Sequence, residues 1–235
     1  MKLELCAASI EAISLAKSLD FDRIELCQNL EQGGLTPSAG MIRYAQELGV
    51  ETHVLIRPRA GGFCYSSEEL AVIERDLDFC QREGVKGVVI GLLKSNFDLD
   101  SEQLSNLKEK YPEFVWTFHR AFDESIDWKR SMDQLIKLGF HRILSSGFAS
   151  HVDIGLPNLK EMLAYANGRI EIMAGGGVNA GNIAKIAREA QPDAIHFSGT
   201  NKVLLDEDSA FSETILKVDE HRVNRILESV RMAAK

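Results

Sequence analysis

One unit recurs along the whole chain: a short apolar segment rich in β-branched residues, then turn residues, then a stretch of helical periodicity. Strands are predicted to begin near Leu3, Arg23, Thr52, Gly87, Val115, Arg142, Glu171 and Ala194, a mean spacing of about 27 residues, which is one βα unit each. Eight such units in 235 residues point to an α/β chain closed as a (β/α)8 TIM barrel, in a single domain over residues 1–235. An open doubly wound sheet, which needs fewer strands, is the second reading.

Capping chemistry tests the proposed helix starts, because orphan N–H groups at a helix N-terminus need partners. Thr36 with Pro37 reads as N-cap and first helical residue, and Ser66 with Glu69 and Asp100 with Gln103 read as capping boxes. Leu70, Ile73, Leu77 and Cys80 fall at helical intervals, as do Val223, Ile226, Leu227 and Val230, which predicts two faces packed on the barrel. The stretch from Gly199 to Glu220 is the longest connection and carries a patchy helical pattern. It is expected to be a partial extra helix or a loop over the barrel mouth, with the run Asp206, Glu207 and Asp208 as a solvated loop.

Charge limits the partners. With 27 basic and 35 acidic residues the net charge is −8, which argues against nucleic acid and anionic lipid, so an anionic ligand must be captured locally. No apolar run approaches the roughly 18 residues of a membrane span. The start, MKLELCAASIEAI, lacks the long apolar core of a secretory leader, and a cytoplasmic location is expected. Cys6, Cys27, Cys64 and Cys80 contain no CxxC pair, so reduced thiols are expected and a zinc ribbon is not.

In a barrel of this kind functional groups sit at the C-terminal strand ends and in the loops that follow. Alternation places Glu4 and Cys6 on one face of the first strand, and Arg23, Glu25 and Cys27 on one face of the second. If both faces point inward, two thiols and two carboxylates meet. Soft thiolates select Cu(I), which makes Cys6 and Cys27 candidate metal ligands; buried packing as small hydrophobes is the plainer reading. On the same grounds Cys80, on a helix core face, is structural, and Cys64, in a glycine-containing loop, is reachable. After the third strand, Arg57 and Arg59 flank Pro58 and can form a fork for a carboxylate or phosphate, or pair with Glu25 or Glu31. After the fifth, TFHRAFD offers His119 as general base or metal ligand oriented by a carboxylate, Asp123 or Glu25, against the bland reading of a hydrogen-bonded structural histidine. The run Gly175, Gly176 and Gly177 reads as a phosphate cradle, with Asn179 capping the next helix and Ser145 and Ser146 of SSG as further small donors. His196 and Ser198 complete a polar ring, unless His196 is a satisfied core histidine. His53 lies near a strand start, where a stability role is expected, and His141, His151 and His221 show no ligand spacing.

The segments DRIELC, GGLTPS, IRPR, FCYS, TFHRAFD, RILSSG and IMAGGGV, in this order from Leu3 to Ser198, resemble the CutC family of copper homeostasis proteins. The resemblance implies a (β/α)8 barrel, a cytoplasmic location, a homodimer and a Cu(I) site at Cys6 and Cys27. The chain departs from the family pattern where Ala60, Gly61 and Gly62 precede Phe63 without the acidic residue that often follows RPRGG. The match is also weaker from Gly199 to Lys235. Three functions are therefore expected as alternatives. One is copper handling through Cys6 and Cys27. A second is an enzyme in which Arg57, Arg59 and the glycine loop hold a small phosphorylated or carboxylated substrate while His119 moves a proton. The third is a non-catalytic dimer that binds a metabolite.

Overall fold

The eight predicted strands pair in parallel, each with its neighbours in chain order, and the first closes on the last. They are β1 (Lys2–Ala7), β2 (Arg23–Leu26), β3 (Thr52–Leu55), β4 (Gly87–Ile90), β5 (Val115–Phe118), β6 (Arg142–Ser145), β7 (Glu171–Ala174) and β8 (Ala194–Phe197). Seven begin at the residue expected from sequence, and β1 begins one residue earlier. The structure is a computed structural model that describes residues 1–204 and 213–233. The intervening helices are α1 (Ile10–Ser18), α2 (Ala39–Leu48), α3 (Ser67–Arg82), α4 (Ser101–Lys110), α5 (Trp128–Lys137), α6 (Val152–Ala166), α7 (Ile183–Glu189) and α8 (Glu220–Ala233). Among the described residues no helix is long and apolar enough to cross a membrane.

Ser66 and Glu69 form the reciprocal capping box of α3, and Asp100 caps α4 by accepting the Gln103 N–H. Thr36 does not cap α2. The chain is still extended there, because Gln28 and Leu35 form a bridge, so the Thr36 hydroxyl accepts the Arg57 N–H and Ser38 becomes the cap. Likewise Asn182, not Asn179, stands at the N-cap of α7; its Oδ1 accepts the Asn179 N–H. The stretch after β8 is not a helix. It forms an antiparallel hairpin of β9 (Thr200–Leu204) and β10 (Thr214–Val218), held in register from Thr200 opposite Val218 to Leu204 opposite Thr214. Asp206, Glu207 and Asp208 lie outside the described residues.

Strand alternation sorts the barrel into two environments. Outward residues such as Leu5, Ile24, Val54, Ile90, Phe118, Ile143 and Ile195 join Ile73, Leu77, Cys80, Val223 and Ile226 of the helices in one apolar layer. The inward face holds small apolar clusters, Cys6 with Cys27, Leu55 and Val89, and Leu144 with Met173 and Ala194. Buried polar residues share this face: Glu4, Arg23, Glu25, His53, Thr117 and Arg142. Barrel interiors are usually filled by branched aliphatic side chains. Here charges fill the space and must pair, since an isolated buried charge is strongly unfavourable. Glu4 on β1 pairs with Arg23 on β2, and Arg142 on β6 reaches Glu171 at 2.7 Å and Thr117 at 3.0 Å. Glu4→Gln is expected to destabilise the barrel by about 3–5 kcal/mol, because it strands the Arg23 guanidinium; denaturant titration at neutral pH reads the loss.

Candidate functional site

The C-terminal strand ends open into a cavity of about 560 Å³ walled by residues from nearly every βα loop, including Arg222 at the start of α8. At its floor the β1–β2 register sets Cys6 beside Glu25. The Cys6 Sγ lies 3.7 Å from Cys27 Sγ and 3.8 Å from Glu25 Oε1, and all three residues are buried. The hydrogen bond with Cys27, and then burial, push the Cys6 thiol above its ordinary range, so it is protonated at neutral pH. Burial also raises the Glu25 carboxyl, and its Oε2 has no partner among the described residues.

Below this floor Glu4 connects three strands, accepting from Arg23 and lying 2.8 Å from His196 Nδ1. Burial opposes ionisation of Glu4, but His196 and Arg23 outweigh it and hold the carboxyl far below the usual range. Burial likewise opposes the charge on His196, yet Glu25 and the bond to Glu4 raise its pKa. His196 and Ser198 both line the cavity, with the Ser198 hydroxyl 3.0 Å from that of Thr200.

The two arginines expected to form a fork are separated. Arg59 turns to Glu69 and to the carbonyls of Gly62 and Cys64, away from the main cavity. Arg57 pairs with neither Glu25 nor Glu31. Its guanidinium donates to the carbonyls of Gln32, Gly34 and Gly61, while its Nε, on a side chain 7% exposed, lacks a partner among the described residues. Phe63 lies between Arg57 and His119, 5.2 Å from the guanidinium carbon and 4.8 Å from the imidazole centroid.

His119 follows β5, and its Nδ1 accepts the Ala121 N–H at 3.1 Å, capping the short 3-10 helix Arg120–Glu124. Nδ1 is therefore the unprotonated nitrogen and Nε2 carries the hydrogen; Nε2 is buried and has no partner among the described residues, on a residue that lines the cavity. Burial, and then the Arg57 charge, push the His119 pKa down to about 3. The ring is a neutral hydrogen-bond donor to the cavity. In this tautomer it has no lone pair there for a proton or a metal. Gly91 makes room for it, since a Cβ at that position would stand 2.2 Å from His119 Cε1.

Asp123 does not orient His119. Its carboxylate accepts from Arg120 Nε, the Ser145 and Ser146 hydroxyls, and the N–H groups of Ser146 and Phe148. Ser145 and Ser146 are thereby committed to the protein interior, and alternation along β6 points Ser145 outward toward Met162. Gly175 donates its N–H to the Ser145 carbonyl and does not reach the cavity; Gly176 and Gly177 do. Arg120 and His151 also reach it. Neither was singled out as a ligand-binding candidate from sequence, although the i,i+3 spacing of Arg120 and Asp123 in a short helix was a signal that this carboxylate serves the arginine.

The charges flanking His196 give a testable pH profile. A raised histidine pKa adds stability below the unfolded value of 6.5 that is lost as pH rises through the folded value. Thermal unfolding is expected to show this decline on the alkaline side, and His196→Asn to abolish it.

The model of the CutC family matches residues 1–201. A CutC family protein of Glaesserella parasuis is 40% identical over 213 residues, covering 89% of this chain and 88% of its own length. The crystal structure of a Streptococcus agalactiae protein described as the copper homeostasis protein CutC superposes with a TM-score of 0.79 at 37% identity, covering 83% of this chain and 98% of that one. Phosphoribosylanthranilate isomerase of Thermotoga maritima shares the fold alone, with a TM-score of 0.62 at 14% identity and 99% coverage of both chains. A closed eight-stranded barrel matched by the family model over 201 of its 235 residues makes this chain a member of the CutC family.

Proposed function

We propose that the chain is an enzyme acting on a small anionic metabolite held in the barrel mouth. One observation carries the reading: three buried polar atoms without partners among the described residues, Glu25 Oε2, Arg57 Nε and His119 Nε2, all belong to residues lining one cavity. Leaving such atoms unsatisfied costs about 1–3 kcal/mol each, a cost that a ligand with matching groups removes. The three atoms divide the work. Arg57 and His119 donate, so they suit a ligand oxygen that is negative or becomes negative. Glu25 presents a bare carboxyl oxygen and is the group placed to take or return a proton. His119, fixed as a donor, supports this transfer without carrying the proton itself.

The thiol pair favours a second reading, in which Cu(I) is the cargo. Cys6 and Cys27 offer two soft donors 3.7 Å apart, and Cys6 lines the cavity through which an ion would enter. Both sulfurs must lose protons to bind, so Cu(I) affinity would rise with pH.

A thermal-shift screen of the reduced protein separates the readings, because a specific ligand raises the unfolding temperature by mass action. Carboxylated or phosphorylated metabolites are expected to stabilise the wild type, with the effect weakened in His119→Phe. Glu25→Gln is expected to keep the binding and lower turnover of the hit at least about a hundredfold. Unchanged turnover in Glu25→Gln, or no stabilisation by any anionic metabolite, overturns the enzyme reading. Under the copper reading, Cys6→Ser with Cys27→Ser removes Cu(I) binding; equal affinity in that double variant rejects it.

A further inference from the structure

Resting on the anionic-metabolite reading, we infer that Arg120, together with the backbone amides of Gly176 and Gly177, forms a phosphate-binding subsite, and that the ligand of the barrel mouth is a phosphate monoester.

Arg120 is held from three directions. Its Nε donates to Asp123 at 3.0 Å, and its Nη2 donates to the Ser146 hydroxyl at 2.7 Å and the Ala149 carbonyl at 3.0 Å. Nη1 remains without a partner among the described residues, and it is the atom that faces the glycine loop: a Cβ at Gly176 would lie 3.2 Å from it. A guanidinium fixed in this way loses little freedom when it binds an anion. Its counter-ion does not cancel it. Asp123 accepts four further hydrogen bonds from Ser145, Ser146 and Phe148, which draw its charge into the loop after β6.

The glycine loop supplies the other donors. Gly176 and Gly177 have φ of +92° and +82°, and their N–H groups find no acceptor among the described residues. A side chain at Gly177 would meet His151 Nδ1 at 2.2 Å, so glycine lets the His151 imidazole pack directly against the loop beside its amides. The carboxylate on this rim, Asp153, is engaged by the Asn182 side-chain N–H at 2.8 Å. The overall charge of −8 makes such local capture necessary.

Three donors from two kinds of group, a guanidinium and two successive amides, match an anion with three terminal oxygens better than a planar carboxylate with two. Arg57 and His119, on the wall built by the loops after β3 and β5, are left for another polar group of the same ligand. The committed roles of Asp123, Ser145 and Ser146 follow: they position Arg120 and do not touch the ligand.

The test is amide NMR of the uniformly labelled protein titrated with inorganic phosphate, glycerol 3-phosphate, glycerol and succinate, with affinities from calorimetry. The expected result is a saturable shift of the Gly176 and Gly177 amides with both phosphates and none with glycerol. Affinity for glycerol 3-phosphate should fall about tenfold or more in Arg120→Met and less in Arg120→Lys. Absence of the glycine shifts, or an unchanged affinity in Arg120→Met, overturns the subsite. If Arg120→Met fails to fold, the wild-type amide shifts decide. Succinate binding without phosphate binding would reject the subsite and leave the anionic reading standing. Binding of neither phosphates nor carboxylates would reject both.

Discussion

A fully buried carboxylate at the centre of the barrel, Glu4, sets the terms for everything above it. It accepts from Arg23 on one side and from His196 on the other, tying β8, β1 and β2 through a single charged group. A buried charge on this scale persists when each partner is present, and removing one is far costlier than never having built the network. The network therefore fixes the register in which Cys6, Glu25 and His196 rise to the floor of the cavity. It also supplies the field in which His196 holds its proton while Glu25, pressed by burial, tends to keep its own.

The mouth is built by the opposite device. Buried groups there are left incompletely satisfied, while their supports are satisfied in full. Asp123 receives five hydrogen bonds and in return immobilises Arg120 and the SSG turn. The Ala121 N–H fixes the tautomer of His119, and three carbonyls hold Arg57. The residues lining the cavity thus carry preorganised donors in Arg57 and His119 and an unpartnered carboxyl oxygen in Glu25. Such a distribution suits binding and proton transfer on an oxyanion-bearing molecule. The thiol pair shares that floor, so copper and a metabolite would compete for Glu25 and Cys6.

Much of this was legible in the sequence. Strand starts were readable because β-branched runs alternate with helical periods, and the meeting of Glu4, Cys6, Glu25 and Cys27 followed from alternation once the first two strands were paired. The hairpin after β8 was not, because Asn201, Lys202 and Lys217 interrupt its apolar residues and its pattern overlaps a helical one. Arg57 and Arg59 read as one fork because only Pro58 separates them in sequence, but the loop carbonyls that each one bonds send them in different directions. Ser145 looked like a ligand donor because hydroxyls near a barrel mouth often are; strand alternation, applied to β6, already placed it outward. The direction of the His119 ring depends on one backbone N–H two residues on, which no motif encodes.

The residues walling the mouth supply donors, and the proposed ligand is accordingly one that brings oxygen acceptors. The most direct test is the protonation state of His119 followed by histidine-selective nitrogen NMR across pH. The expected result is a neutral ring with hydrogen on Nε2 that resists protonation until pH falls toward about 3. A ring that titrates near its ordinary value of 6.5, or that carries its hydrogen on Nδ1, would contradict it.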